Sequence, residues 1–366
     1  MLMVLLYVFG SVALINCAYY LLFSKLSFLK ISHKNAEANP PISVIICAKN
    51  EAENLRNHIP FWLNQKYPNF ELILINDSSI DDTLEVIEEF AEKDNRIQIV
   101  DVKSNEAFWG NKKYALTLGI KRAKNNHLLF SDADCYPASE KWIELMASNF
   151  STEKELVLGY GAYKKDSGLL NKLIRFETLM TAVQYFSYAK ARNPYMGVGR
   201  NLAYTSELYY KNNGFMSHIR VLSGDDDLFV NQAATAKNTS ICIEPEAFTY
   251  SIPKKSRHKW KVQKNRHYST ASLYKPKHRL LLGVYYIFNL LFWVLVPIVL
   301  FTSYWEYGLA VLSLRLLMQY VIISNAAKKL KESDLTPWIP FFEVLLVLLQ
   351  LSIFISNRGD KNPKWK

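Results

Sequence analysis

The sequence predicts an α/β domain on a mostly parallel sheet, joined to membrane-crossing helices, and three observations predict it. Short β-branched runs alternate with amphipathic stretches between residue 40 and about residue 250. Uncharged apolar runs of spanning length lie near both ends of the chain. Acidic and amide residues follow each of the early β-branched runs, at the carboxyl edge where parallel sheets bind ligands.

The first apolar run, residues 2–23, carries no charge. At about 1.5 Å per residue it reaches across a hydrocarbon layer of about 30 Å, so residues 1–24 are expected to form an N-terminal transmembrane helix. No basic residue precedes the run and no small-residue cleavage pattern follows it, which disfavours a signal peptide. Lys25, Lys30 and Lys34 come directly after. The positive-inside bias then puts the start of the chain outside and the next domain in the cytoplasm.

Within residues 40–250, "ISVIICAKN" reads as a buried strand and "AENLRNHIPFWLNQ" as the helix after it. "FELILIND" is a second strand, and "SSIDDTLEVIEEFAEK" opens with capping residues before an amphipathic helix. "RIQIVDV" is a third strand, "KKYALTLGIKRA" a third helix and "HLLFSDAD" a fourth strand. Alternation of this kind implies a parallel sheet covered on both faces.

Charge and hydropathy place the rest. The net charge is +11, and ten Lys or Arg fall between Lys254 and Arg279, just before a long apolar run. Residues 251–279 therefore read as a basic juxtamembrane or interfacial segment. No nucleic-acid motif accompanies the charge, so nucleic acid is not an expected partner. Apolar runs at about 280–302, 306–325 and 337–356 make 280–357 a C-terminal membrane region with two to three spanning helices. The third run contains Glu343, Pro337 and Pro340, and spans, re-enters or lies in the interface. Three crossings would put the tail, residues 358–366, outside, whereas its positive charge favours the inside. The four cysteines are scattered, without metal or disulfide spacing, and fit a reducing compartment.

The candidate site lies at the strand ends: Asn50 with Glu51, Asn76 with Asp77, Asp101, and Asp132 with Asp134. Carboxylates gathered at one edge raise one another's pKa unless a cation or a polar ligand joins them. Asp132 and Asp134 are two apart in an extended segment and so point the same way, as hard oxygen donors for Mg2+ or Mn2+. As a bare tripeptide, "DAD" is better explained as a turn or helix cap; its place after a fourth strand favours the metal. Asp77 suits either a helix cap or recognition of a base or ribose. Lys112 suits a phosphate, an acidic neighbour or solvent. Asp225, Asp226 and Asp227 precede a helical stretch whose cap needs one of them; another can serve as a general base. Gly197, Gly199 and Asn201 permit close approach of backbone and ligand or form an ordinary turn. Gln263, Arg266 and His267 lie in a basic stretch that also reads as a membrane-surface helix.

Taken in order, "VIICAKNEAENL", "LILINDSSIDDT", "GNKKYALTLGI", "SDADCYP", "SGDDDL" and "QKNRH" resemble the inverting family 2 glycosyltransferases, which include cellulose, chitin and hyaluronan synthases. The resemblance implies a GT-A (nucleotide-diphospho-sugar transferase) fold, with a Rossmann-like, mostly parallel sheet. It further implies a UDP- or GDP-sugar donor, a lipid or glycan acceptor and a bacterial inner or plasma membrane protein with a cytoplasmic catalytic domain. By position, Asp77 is similar to the nucleotide-binding aspartate, with Ala48 and Glu51 near the base, and Lys112 to the lysine of "GKxxAL". Asp132 and Asp134 resemble the metal-binding pair, Asp134 as the direct ligand. Asp226 aligns with the catalytic base, and anchoring on the following "DL" gives Asp225 instead. Gln263 and Arg266 resemble "QxxRW", whose Trp is His267 here, a change that favours a single transfer over processive synthesis. A non-catalytic, membrane-tethered nucleotide-sugar binder is the alternative from another class.

Overall fold

The computed structural model describes residues 2–30, 39–103 and 112–357. The chain divides into two compact units.

The α/β unit holds residues 31–165 and 192–254. Its elements are β1 (Ile42–Ala48), α2 (Ala52–Leu63), β2 (Phe70–Asp77), α3 (Thr83–Ala91), β3 (Ile97–Val102), α4 (Lys112–Arg122), β4 (His127–Asp132), β5 (Cys135–Pro137) and α5 (Trp142–Ala147), then β6 (Leu156–Leu158), β7 (Gly161–Tyr163), β8 (Leu202–Thr205), α7 (Ser206–Lys211), α8 (Asp227–Ala233), β9 (Thr239–Ile241) and β10 (Thr249–Ser251). Seven strands form one sheet in the order β3-β2-β1-β4-β8-β6-β9, and β5-β10-β7 form a second. The first four strands are parallel, while β8 runs antiparallel to both β4 and β6. Every residue of β2 is buried, and β1 is buried except at Cys47, as expected of strands covered on both faces.

One face is filled by Leu55, Ile59 and Trp62 of α2, Val86 and Ile87 of α3, and Trp142, Ile143 and Met146 of α5, against Val44, Ile46, Leu72, Leu74 and Leu129 of the sheet. Each such side chain contributes roughly 1.5–3 kcal/mol by leaving water. Helix α4 approaches so closely that a Cβ on Gly119 would lie 2.4 Å from Ile75 Cδ1. That close fit fixes the height of its first turn, which carries Lys112 and Lys113.

The helical unit holds residues 1–30, 166–191 and 255–366: α1 (Leu2–Ser27), α6 (Leu169–Lys190), α9 (Arg257–Thr270), α10 (Pro276–Leu300), α11 (Trp305–Lys329) and α12 (Ile339–Asn357). Asp166–Ala191 thus leaves the interval 40–250 and groups with the apolar helices. Among the described residues four helical segments are long and apolar enough to cross a membrane: Leu2–Ser27, Pro276–Leu300, Trp305–Lys329 and Ser333–Ser356. One is N-terminal and three are C-terminal. Pro340 sits in the first turn of α12, where a missing N–H costs nothing.

Glu343 has a partner. Its carboxylate accepts from Arg315 Nη1 at 2.7 Å and Nη2 at 2.8 Å, from Tyr20 Oη at 2.7 Å and from Trp293 Nε1 at 3.0 Å. Arg315 also donates to Gln319, Asn289 and Asn16, so each of the four apolar helices supplies a member of the cluster. Removing one member of a buried ion pair typically costs about 3–5 kcal/mol, because the other charge is left uncompensated. Glu343→Ala should therefore lower the thermal unfolding temperature in detergent markedly, and Arg315→Met with Glu343→Leu should recover most of that loss.

Candidate active site at the strand ends

Register brings the ends of β1 to β4 to one edge. Ala48 pairs with Asn76, Asn76 with Asp101, and Cys47 with Asp132. The chain leaves β1 and β2 through non-glycine residues in the left-handed region, Asn50 at φ 56° and Ser78 at φ 54°. Such positions cost about 1–3 kcal/mol each and persist where their surroundings hold them. Here the two loops hold each other. Asn50 Oδ1 accepts the Ile80 N–H at 2.9 Å, the Asn50 N–H donates to Ser79 Oγ at 3.0 Å, and the Glu51 N–H donates to Thr83 Oγ1 at 2.9 Å.

Asn76 and Asp101 serve this scaffold. Asn76 Nδ2 donates to Asp101 Oδ1 at 2.8 Å while Asn76 Oδ1 accepts the Ser79 N–H at 3.1 Å. Asp101 is exposed and its carboxylate anchors Asn76, which removes it from the row of site carboxylates expected from the sequence. Asp77 is different: it is buried, and no group among the described residues hydrogen-bonds its carboxylate. Burial raises its pKa, against the pull of Lys49 and Lys112.

Lys112 is the hub. Its Nζ lies 2.8 Å from Asp132 Oδ1 and 2.9 Å from Asp225 Oδ2. Burial works to deprotonate it, but the two carboxylates outweigh burial and hold its pKa well above the usual lysine range. The effect on Asp225 is reciprocal: burial pushes its carboxyl up, and Lys112 overrides this to keep it below the ordinary value. Its neighbour goes the other way. Burial, with Asp225 and Asp227 alongside, raises Asp226 to about 7. Asp226 Oδ2 accepts the Gly199 N–H at 2.7 Å and Oδ1 accepts the Asp227 N–H at 2.7 Å, so it also caps α8. Each oxygen keeps a further lone pair. A Cβ on Gly199 would stand 3.4 Å from Asp226 Oδ2, an ordinary van der Waals contact, so the Gly199 N–H and not its lack of a side chain serves the carboxylate.

Donor atoms of Asp132, Asp134 and Cys135 lie within 4.8 Å of one another. Burial, with Asp132 beside it, raises the pKa of Asp134, which marks negative charge short of a counter-charge. The two carboxylates fit a hard divalent cation. Cys135 does not add to them, because burial and both aspartates push its thiol well above the usual range and a neutral thiol is a poor ligand for such an ion. Glu51 is raised by burial, opposed by Asn54 Nδ2 at 2.5 Å.

Residues 43–211 match the family model described as glycosyl transferase family 2. They form a glycosyl transferase family 2 domain. An uncharacterized glycosyltransferase of Haemophilus influenzae is 32% identical over 124 residues, 34% of this chain and 47% of that protein. A poly-beta-1,6-N-acetyl-D-glucosamine synthase of Staphylococcus epidermidis is 35% identical over 112 residues, 31% of this chain and 25% of that protein. The chain thus spans less than half the length of these curated relatives. A mannosyltransferase of Pyrobaculum calidifontis, solved with GDP-Man and Mn2+, shares the fold, with TM-score 0.60, 15% identity and coverage of 95% of this chain and 99% of that one.

The family 2 domain and the segment after it therefore gather Ala48, Glu51, Asp77, Lys112, Asp132, Asp134, Asp225 and Asp226 in one unit. Gln263 and Arg266 lie on α9 of the helical unit. Asn201, expected beside a ligand, is wholly buried. It accepts from Trp142 Nε1 at 3.0 Å and donates to Tyr160 O at 3.1 Å and Ala247 O at 2.8 Å. Gly197 packs against Leu158 and Leu202.

Sequence reasoning passed over three residues. His58 Nδ1 donates to Ala133 O at 2.9 Å and so holds the turn between the two aspartates. Arg200 stacks over Tyr163 with its guanidinium 4.3 Å from the ring centre. Lys113 is buried and reaches the carbonyls of Val221 and Ser223. The doubled "KK" was the visible signal for the last. Asn201→Ala takes the Asn201 partner from Trp142 Nε1 and Ala247 O, at about 1–3 kcal/mol each, while Tyr160 O keeps the Thr249 N–H. It should lower the unfolding temperature by several degrees, measured calorimetrically, while the folded fraction keeps its affinity for Mn2+.

Proposed function

We propose that the protein is a membrane-bound, inverting glycosyltransferase that moves one sugar from a UDP- or GDP-sugar to a lipid or polysaccharide acceptor. The observation that carries this reading is the division of labour imposed by Lys112: Asp225 is neutralised by an ion pair, while Asp226, next to it, stays near neutrality in pKa. A carboxyl poised near 7 is suited to accept a proton at working pH. A non-catalytic nucleotide-sugar binder has no use for one.

Asp77 and Glu51, with the Ala48 backbone, receive the nucleotide at the ends of β1 and β2. Asp134, with Asp132, would hold Mg2+ or Mn2+, which when bound offsets the charge of the diphosphate. Lys112 contributes a fixed cation at the same edge. The acceptor hydroxyl gives its proton to Asp226 as its oxygen bonds to the anomeric carbon; the bond from that carbon to the diphosphate breaks, and the electron pair leaves with the nucleoside diphosphate. Gln263 and Arg266 join the donor set on motif order alone. The residue His267 in place of the motif's Trp favours a single transfer, and the flanks of α1 favour a catalytic unit in the cytoplasm at a bacterial inner membrane.

Purified protein with membrane extract should release nucleoside diphosphate from one member of a UDP- and GDP-sugar panel, and chelation should abolish the release. Asp226→Asn and Asp134→Ala should each lower turnover at least about 100-fold; unchanged turnover in either variant would falsify the assignment. The wild-type rate should rise with pH through about 7 and level off above it, because Asp226 must be ionised to act.

A further inference from the structure

Two lysines open α4: Lys112 pairs with Asp132 and Asp225, and Lys113 grips backbone carbonyls. Lys113 is 1% exposed. Burial lowers its pKa to about 8 against the pull of Asp225, Asp227 and Asp226, and the helix dipole also disfavours an ammonium in a first turn. Its ammonium hydrogen-bonds the carbonyl oxygen of Val221 and that of Ser223, the latter at 2.7 Å. These residues belong to an irregular stretch of bends and turns, residues 219–226, that ends at Asp225 and Asp226. Between the gripped carbonyls and the aspartates lies Gly224, at φ +97°, a conformation open to glycine and rarely to other residues. The joint that aims the aspartates is thus the most permissive residue of the loop, and Lys113 clamps the chain on the N-terminal side of that joint.

We propose that Lys113 is a positioning residue for transfer: by holding the carbonyls of Val221 and Ser223 it fixes the swing of the acidic loop about Gly224 and so sets where Asp226 meets the acceptor hydroxyl. This rests on the reading of Asp226 as the base. Lys112 acts on the same loop from the other side, through the Asp225 carboxylate, so successive residues of one helical turn hold the loop by its backbone and by its side chain. Displacement of a reacting group by about 1 Å can cost about 100-fold in rate, whereas Ala48 and Asp77 end β1 and β2 and Glu51 follows β1, outside the acidic loop. Loss of the clamp therefore reaches turnover and spares donor binding.

The experiment compares wild type, Lys113→Met, Lys113→Gln, Lys113→Arg and Asp226→Asn. The readouts are nucleoside diphosphate release from UDP-N-acetylglucosamine and GDP-mannose with Mn2+, calorimetric binding of UDP and GDP, and amide hydrogen exchange. Lys113→Met is expected to lower kcat about 10- to 100-fold, with donor KM and nucleotide affinity within about twofold. Exchange should quicken in residues 219–226 and not in β1 to β4, and Lys113→Arg should restore most of kcat. Unchanged kcat, or unchanged exchange in 219–226, overturns the proposal. So does joint loss of folding and nucleotide binding in both the Met and Gln variants, which would make Lys113 a residue of the fold. Full turnover in Asp226→Asn would instead remove the base assignment, and the exchange result would still report on the clamp.

Discussion

The ion pairs of Lys112 are the constraint on which the rest of the site depends. Asp132 stands at the end of β4 and Asp225 in the loop before α8, far apart in sequence, and one ammonium within 2.9 Å of both joins them. Lys112 and Asp225 hold each other ionised. The consequence is an edge at which strand end and acidic loop are fixed relative to each other before any ligand arrives, as preorganised charge requires.

From that knot follows the separation of roles among the acids. Adjacent carboxylates in similar surroundings would titrate together; here Asp225 has the cation and Asp226 has backbone N–H groups and two acidic neighbours. Their pKa values move apart, and separation of this kind distinguishes a charge-holding group from a proton-accepting one. Burial and the neighbouring Asp132 raise Asp134 against the pull of Arg200 and Lys254, and a divalent cation would offset that negative charge.

Much of this was legible in the sequence because it follows from local pattern. The strands β1 to β4 are continuous apolar runs with polar ends, and parallel pairing puts those ends together without further information. The apolar helices were legible by length and lack of charge. Other features depend on partners that no local pattern names. Asp101 and Asn201 look like site residues until their hydrogen bonds show them holding Asn76 and Trp142. Glu343 argued against a spanning helix until Arg315 was found beside it. Helix α6 carries Arg175 and Glu177, both buried, against Glu332 and Asp334 and against Lys264, partners remote in sequence. Strands β5, β6, β7, β9 and β10 have three residues each, too few for a period to appear.

The central claim is that the strand ends of the family 2 domain bind a nucleotide diphosphate with a divalent cation beside Asp134. Crystals of the protein grown with UDP or GDP and Mn2+, measured at a wavelength where manganese scatters anomalously, test it directly. The account predicts a single strong anomalous peak within bonding distance of an Asp134 oxygen, with diphosphate density next to it at the ends of β1, β2 and β4. A manganese peak and nucleotide density elsewhere, with Asp132 and Asp134 free of both, would contradict it.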